Sequence, residues 1–408
     1  MKAGVYFSGR ASKRICRLSW MGMILAAALM SGCASNRVPD VLDFGSGSEV
    51  NAEGWREMKQ LTWPPPESGE QARYQYAGQL YGEENFHPPK GAKKTLGQNI
   101  TEAFYWLVGL VVGEAEPEAL QRPQSGVVDM AGQRILITDT NRQAVYVFDQ
   151  KKGQLDLWEN ATQTSHFISP AGIALGSASD VYVADSELGY VTRLNENGKS
   201  VGVIGKGALK RPVGLAFDVA ARELYVADVY GHDIKVFDAD GRLLRTLGRR
   251  GEEPGEFNFP TYLALAKGEL YVTDTMNSRV QVLDAATGQS KLIIGERGLN
   301  MGNLVRPKGV AVDSEGNVYI IESFHDYLLV FNRKGELLMP IGGTGDGIGQ
   351  FYLPTSVWID ASNRVFVADM FNARVALFQY LGDKPPAGVD ESNTPVLSPH
   401  SLEGERVK

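Results

Sequence analysis

Six acidic residues recur along this chain at nearly constant intervals. They are Asp139, Asp185, Asp228, Asp274, Glu322 and Asp369, separated by 46, 43, 46, 48 and 47 residues. Carboxylates placed equivalently by a repeat are the oxygen ligands a hard cation takes. The same residue type also accepts backbone N–H bonds within the turn it opens. Occurrence in every repeat, rather than in two or three, favours the turn role. Two histidines stand nearby: His232, four residues after Asp228, and His325, three after Glu322. A catalytic zinc needs three protein ligands, so this pair is incomplete. A third feature is apolar. Two residues past the acidic position stand Tyr230, Met276, Phe324 and Phe371 in the last four repeats, against Asn141 and Glu187 in the first two. Turn tips favour polar residues. Four large apolar ones are either wedges between neighbouring sheets or one partner-binding face, with Arg279 and Arg374 as polar neighbours. Aromatic and Arg side chains are common interface anchors.

The elements that carry these residues repeat with them. Each acidic residue closes an alternating run: "RILITD", "DVYVAD", "ELYVAD", "ELYVTD", "NVYIIE" and "RVFVAD". Alternation is the period of a half-buried strand. A short polar turn and a second alternating run make each phrase a hairpin. Upstream lies a proline with a short apolar strand, beginning at Pro123, Pro170, Pro212, Pro260, Pro307 and Pro354. Downstream a glycine turn leads to a fourth strand, as in "ADGRLLRTLG". Six four-stranded units at this period predict an all-β, six-bladed propeller, because small sheets bury both faces only by packing radially. The sixth unit has three strands. Residues 72–82, "ARYQYAGQLYG", supply the fourth: Arg73 to Leu80 is expected to pair with Arg374 to Tyr380 and close the ring. Residues 33–71 read as a tether, 98–120 as a helical insertion, 122–382 as the repeats and 383–408 as a disordered tail. Within the insertion, Ala103 to Val112 is an apolar run of ten, too short to span a bilayer.

The phrases "RPVGLAFD" and "RPKGVAVD", with the hairpins that follow them, resemble the NHL repeat. The resemblance recurs six times and implies a six-bladed NHL propeller. Some propellers of this kind are peptidyl-amidoglycolate lyases with a zinc held by three histidines. His232 matches one of those positions. The other two fall just after the first-strand proline, where this chain has Gln124, Ala171, Val213, Thr261, Lys308 and Thr355, none of them histidine. Lactonase-type propellers hold calcium with a buried Glu, Asn and Asp set, and no such set departs from the repeat pattern here. No Ser–His–Asp order, phosphate loop or "CxxCH" haem site occurs. These observations place a protein-binding or scaffolding module, with no cofactor and no metal, ahead of a metal-dependent lyase or lactonase on the same fold. "WPPP", the closing strand, an apolar helix and then "RP" also resemble a set of bacterial NHL lipoproteins. Those are often encoded near multihaem cytochromes, which implies a multihaem cytochrome complex as the partner.

The ends set the compartment. Residues 1–32 carry five basic residues and no acidic one, then an apolar stretch and small residues, the pattern of a secretory signal. "ALMSGC" resembles a bacterial lipoprotein box with Cys33 as the acylated residue, followed by Ala34. This implies an outer-membrane lipoprotein, periplasmic or surface-facing, attached through Cys33. Stable attachment needs more than one acyl chain. Cys16 lies within the signal, so the processed chain has a single cysteine and no internal disulfide. Removing the signal brings the formal charge from −7 to −12. An acidic exported protein lacks the field that draws nucleic acid. Replacing Cys33 with Ala is expected to release the protein from the membrane fraction or to leave it as unprocessed precursor. Membrane retention with a trimmed N-terminus would contradict acylation at Cys33.

Overall fold

The computed structural model describes residues 39–45, 61–89, 91 and 116–382. The signal with Cys33, the apolar run Ala103 to Val112 and the tail 383–408 lie outside the described residues. The propeller falls in one compact unit, residues 40–87 and 117–408. The other unit lies almost wholly outside the described residues. No helix among those described is long and apolar enough to cross a membrane.

Every alternating phrase forms a strand, and each set of four makes one antiparallel sheet. Blade 3 shows the plan: Pro212–Asp218, Glu223–Asp228, Asp233–Asp238 and Leu243–Leu247, paired in that order. The other blades span residues 123–158, 170–204, 260–294, 307–342 and 354–380. The first strands of consecutive blades neighbour one another all the way round, blade 6 against blade 1 included. This makes the architecture a closed six-bladed propeller. Proline opens the first strand of each blade, the position where a missing N–H costs the ladder least. It stands directly opposite the acidic residue, as Pro212 does Asp228 and Pro354 does Asp369, and a register shift follows it in all six blades. A bulge of this kind re-aims the next side chains.

Ring closure comes from the N-terminal strand Tyr74–Leu80. It pairs antiparallel with Arg374–Tyr380, from Tyr74 opposite Tyr380 to Leu80 opposite Val375. Tyr74 and Tyr76 are buried in the same apolar cluster as Phe378 and Tyr380. The Tyr74 hydroxyl lies 2.9 Å from that of Tyr319 in blade 5, which donates to Asp313. Burial pushes all three phenols (Tyr74, Tyr76 and Tyr319) upward in pKa.

The span expected as a tether is in part structural. Thr62–Trp63 adds a fifth strand to blade 6, and the Trp63 ring packs edge-on against Phe378 at 5.2 Å. Val41–Leu42 pairs with Phe86–His87, and Phe44 lies over Gly78. Any Cβ at Gly78 would fall 2.4 Å from the Phe44 carbonyl oxygen. Buried Asn85 joins these pieces: Oδ1 accepts from the N–H groups of Tyr81 and Gly82, and Nδ2 donates to the carbonyls of Asp43 and Gln79. Strands of two residues show no alternation, so their composition alone read as linker.

Tyr76→Ala tests the closure. Tyr76 is buried, and its hydroxyl donates to Gln79. Truncating a large buried aromatic commonly costs about 3–5 kcal/mol. Urea denaturation is expected to show a loss of that size. A loss below about 1 kcal/mol would mean that the closing strand contributes little.

Candidate functional site

The acidic ring is a set of structural clamps. All six carboxylates are buried. Each accepts N–H bonds from the connection that precedes the proline of its own blade. Arg122 N donates to Asp139 at 2.8 Å, Ile168 N to Asp185 at 2.7 Å and Arg211 N to Asp228 at 2.8 Å. Asn258 N, Arg306 N and Tyr352 N reach Asp274, Glu322 and Asp369 at 2.6–2.7 Å. Several also bond the turn they open, as Asp139 does Asn141 N and Arg142 N. Bonds to a carboxylate are charge-assisted and strong, which offsets part of the burial cost. Among the described residues, no three His, Cys, Asp or Glu side chains are grouped to hold a metal ion.

The two histidines are occupied by the same framework. His232 Nδ1 accepts the N–H of Phe259, on the connection into blade 4. Burial lowers its pKa, which fits a neutral acceptor. Asp326, at the matching position of blade 5, takes the N–H of Leu353 in the same way. His325 instead holds its neighbour Glu322 through Nδ1 at 2.8 Å.

Arg279 and Arg374 do not flank an exposed patch, contrary to expectation. Each turns inward and donates Nε to its blade's acidic residue, Asp274 or Asp369, at 2.9 Å. Their Nη2 groups hold the carbonyls of Glu253 and Glu256, and of Gly347 and Gln350, on the glycine-rich connections. Arg374 is 4% exposed. Burial nonetheless pushes the carboxyls of Asp274 and Asp369 upward, against these hydrogen bonds and the Arg charges. Blade 3 uses Lys235 on Asp228 in the same role. Asp139 and Asp185 have no cationic partner of this kind among the described residues and rest on N–H donors.

The four apolar turn residues stand at the surface. Tyr230 is 52% exposed, Met276 50%, Phe324 53% and Phe371 46%. Their other halves lie against neighbouring connections, as Tyr230 does against Phe259 and Phe371 against Arg122. Two of them have cations from the connections as companions: Arg211 lies 5.3 Å from the Tyr230 ring centre, and Arg122 lies 5.3 Å from that of Phe371. Phe259 and Tyr352 add ring contacts beside Tyr230 and Phe371. The arc is therefore a rim of large apolar groups with an arginine over the ring at each end. The "RP" dipeptides carried this signal, because the residue before each proline lies beside the turn tips.

Sequence reasoning also missed Tyr262. The second residue after the proline is Ser125, Gly172, Gly214, Gly309 or Ser356 in the other blades. A Cβ at Gly172, Gly214 or Gly309 would strike the next blade's first strand. Blade 4 has tyrosine there. Its buried side chain crosses the ring, and its hydroxyl donates to the Gln124 carbonyl of the opposite blade 1 at 3.4 Å. The central channel is bridged at that level.

The carboxylates differ in a way that substitution can read. Asp369→Asn would strand the buried Arg374 without its counter-charge, a loss of about 3–5 kcal/mol. Asp185→Asn removes one acceptor from N–H donors but strands no cation, for about 1–3 kcal/mol. Urea unfolding of both variants should rank them in that order. Equal losses would mean that the arginine does not depend on its carboxylate.

A family model described as a 6-bladed beta-propeller matches residues 303–384. NHL repeat-containing protein 2 of Homo sapiens is 31% identical over 155 residues, 30% of this chain and 21% of that protein. NHL repeat-containing protein 3 of Homo sapiens is 31% identical over 167 residues, 36% of this chain and 46% of that one. The chain thus matches less than half of either relative. A solved structure of a protein of unknown function from Bacteroides thetaiotaomicron VPI-5482 superposes with a TM-score of 0.52 at 15% identity, over 65% of this chain and 70% of the other. That likeness concerns the fold alone. Closed ring and family model agree that the chain is a six-bladed β-propeller, and its repeats are similar to those of NHL repeat-containing proteins.

Proposed function

We propose that this propeller is an exported, lipid-anchored binding module that holds a protein partner on the rim of blades 3 to 6. The observation that carries the reading is the arc of Tyr230, Met276, Phe324 and Phe371, each about half exposed at the same turn position of consecutive blades. Monomer surfaces seldom gather large apolar groups without use for them. Arg122 and Arg211 lie over two of the rings and supply polar anchors, the combination that carries most interface energy. Cys33, acylated at the outer membrane, tethers the module there. The partner belongs to an outer-membrane electron-transfer complex built on a multihaem cytochrome, as the resemblance to bacterial NHL lipoproteins implies. The propeller's own part in such a complex is placement, since the six ring carboxylates and the two histidines beside them are engaged in holding the connections.

Replacing Tyr230 and Phe324 together by Ser tests the rim. Exposed side chains contribute little to stability, so unfolding should shift by no more than about 0.5 kcal/mol per site. Loss of aromatic anchors commonly costs 2 kcal/mol or more, or about thirtyfold in affinity. Recovery of cross-linked partner from membranes should fall accordingly, and haem absorbance in the recovered complex reports the cytochrome. Unchanged recovery from a folded double variant would remove the rim from the interface. Recovery of a partner without haem would remove the cytochrome assignment alone.

A further inference from the structure

Five of the six blades guard their outer edge. An outermost strand exposes unpaired N–H and C=O groups, and folded proteins blunt such edges with charge, proline or cover. Blade 1 places Asp156 within Gln154–Trp158, blade 3 Arg245 within Leu243–Leu247 and blade 4 Lys291 within Ser290–Ile294. Blade 5 has Pro340 within Leu337–Gly342. Blade 6 is covered by Thr62–Trp63, which runs into Pro64, Pro65 and Pro66. Blade 2 ends in Ser200–Ile204, "SVGVI", with neither charge nor proline. Val201 is 54% exposed and Val203 40%. A Cβ at Gly202 would meet no atom within 4 Å, so the edge is open along its middle. Blade 5 shows which way the polar groups face. Pro340 stands opposite Leu329 and just before Ile341, as Val203 stands opposite Thr192 and just before Ile204. Proline keeps a place in an edge strand where its missing N–H would point away from the ladder. The N–H of Val203 therefore points outward, and its carbonyl lies on the same side.

We propose that this edge takes an extended acidic segment of a partner protein as a fifth strand. In strand addition, main-chain bonds give affinity and side chains give selectivity. Blade 6 does the same within the chain, where Thr62–Trp63 pairs on the outer side of Tyr74–Leu80. The ends of the blade 2 edge carry Lys199 and Lys206. Both are exposed, and neither is in an ion pair among the described residues. Lys206 lies 5.8 Å from the Tyr190 ring centre, which keeps it beside the end of the strand. Carboxylates at both ends of an added strand would meet these ammonium groups. The same lysines oppose a second copy of this chain as the occupant. Antiparallel self-pairing about Gly202 would set Lys199 of one molecule beside Lys206 of the other at both ends, and like charges across a ladder repel. The edge shares no residue with the rim of blades 3 to 6, so the two surfaces stand or fall separately.

Fluorescence anisotropy of labelled peptides titrated with the full chain tests the proposal. The probe is a short peptide of alternating Thr and Val with Glu at both ends, and its control has Lys at both ends. Saturable binding is expected for the acidic peptide. The basic one should bind about tenfold more weakly, the scale of two exposed charge pairs turned from attraction to repulsion. Val203→Pro should abolish binding, since blade 5 accommodates proline at the matching place. Should that variant fail to fold, Lys199→Glu with Lys206→Glu gives a second measure, and preference should pass to the basic peptide. Absent binding of the acidic peptide, equal binding of the two peptides, unchanged binding in folded Val203→Pro or unaltered preference after charge reversal would each overturn the assignment. A wild-type dimer in sedimentation that Val203→Pro dissolves would do so too, by making a second copy the occupant. So would displacement of the probe by a synthetic peptide of residues 383–408, which would make the chain's own tail the occupant.

Discussion

The structure depends on one repeated bond: a buried carboxylate that takes the N–H groups just before a proline. A propeller blade has a weak place where the chain leaves the outer strand of one sheet and enters the innermost strand of the next. The proline that starts this strand gives no N–H to the ladder, and the residues ahead of it lie outside any sheet. Their N–H groups still need acceptors, because an unpaired buried donor costs about 1–3 kcal/mol. The acidic residue opposite the proline provides them. It lies at the end of a strand paired on both sides, so the ladder fixes its position relative to the connection. Removing a carboxylate therefore loosens a blade-to-blade joint and not merely a turn.

The blades solve the electrostatic side of this problem differently. Blades 4 and 6 place an arginine behind the carboxylate, and the same guanidinium holds two carbonyls of the glycine-rich connection. Blade 3 uses a lysine, and blade 5 a histidine. Blades 1 and 2 rely on N–H donors. The glycine-rich connections of blades 4 and 6 are thus fastened to the ring by their own backbones. What remains for recognition is what the clamps leave over: the tips of the turns and the open edge of blade 2.

Much of this was legible in the sequence because the repeat has a period and the strands alternate. The closing strand was legible for the same reason, since Tyr74–Leu80 alternates like any fourth strand. Local roles followed less well. Arg374 sits five residues after Asp369, where a sequence shows only a charge near a turn; its inward course depends on the pairing of Arg374 with Asp369 across the hairpin. Tyr262 was visible as a departure from glycine or serine. Its meaning was not, because a linear period conceals which positions face each other across a ring. The strands Val41–Leu42 and Thr62–Trp63 are too short to have a period at all.

The closing strand also sets an order of events. Tyr74–Leu80 is synthesised before any blade, yet its partner Arg374–Tyr380 is the last strand among the described residues. Chain length alone is a modest obstacle, since doubling a loop adds only about 0.6 kcal/mol to its closure. Contacts so distant in sequence nonetheless slow folding. Until they form, five finished blades present an open sheet edge to the surroundings, and a matching strand waits at the other end of the chain. A second molecule in the same condition offers the same edge and the same strand. Exchange between two half-closed rings would make the bonds that closure makes within one. Crowding during synthesis therefore bears on whether this protein ends as single rings or as interlocked pairs.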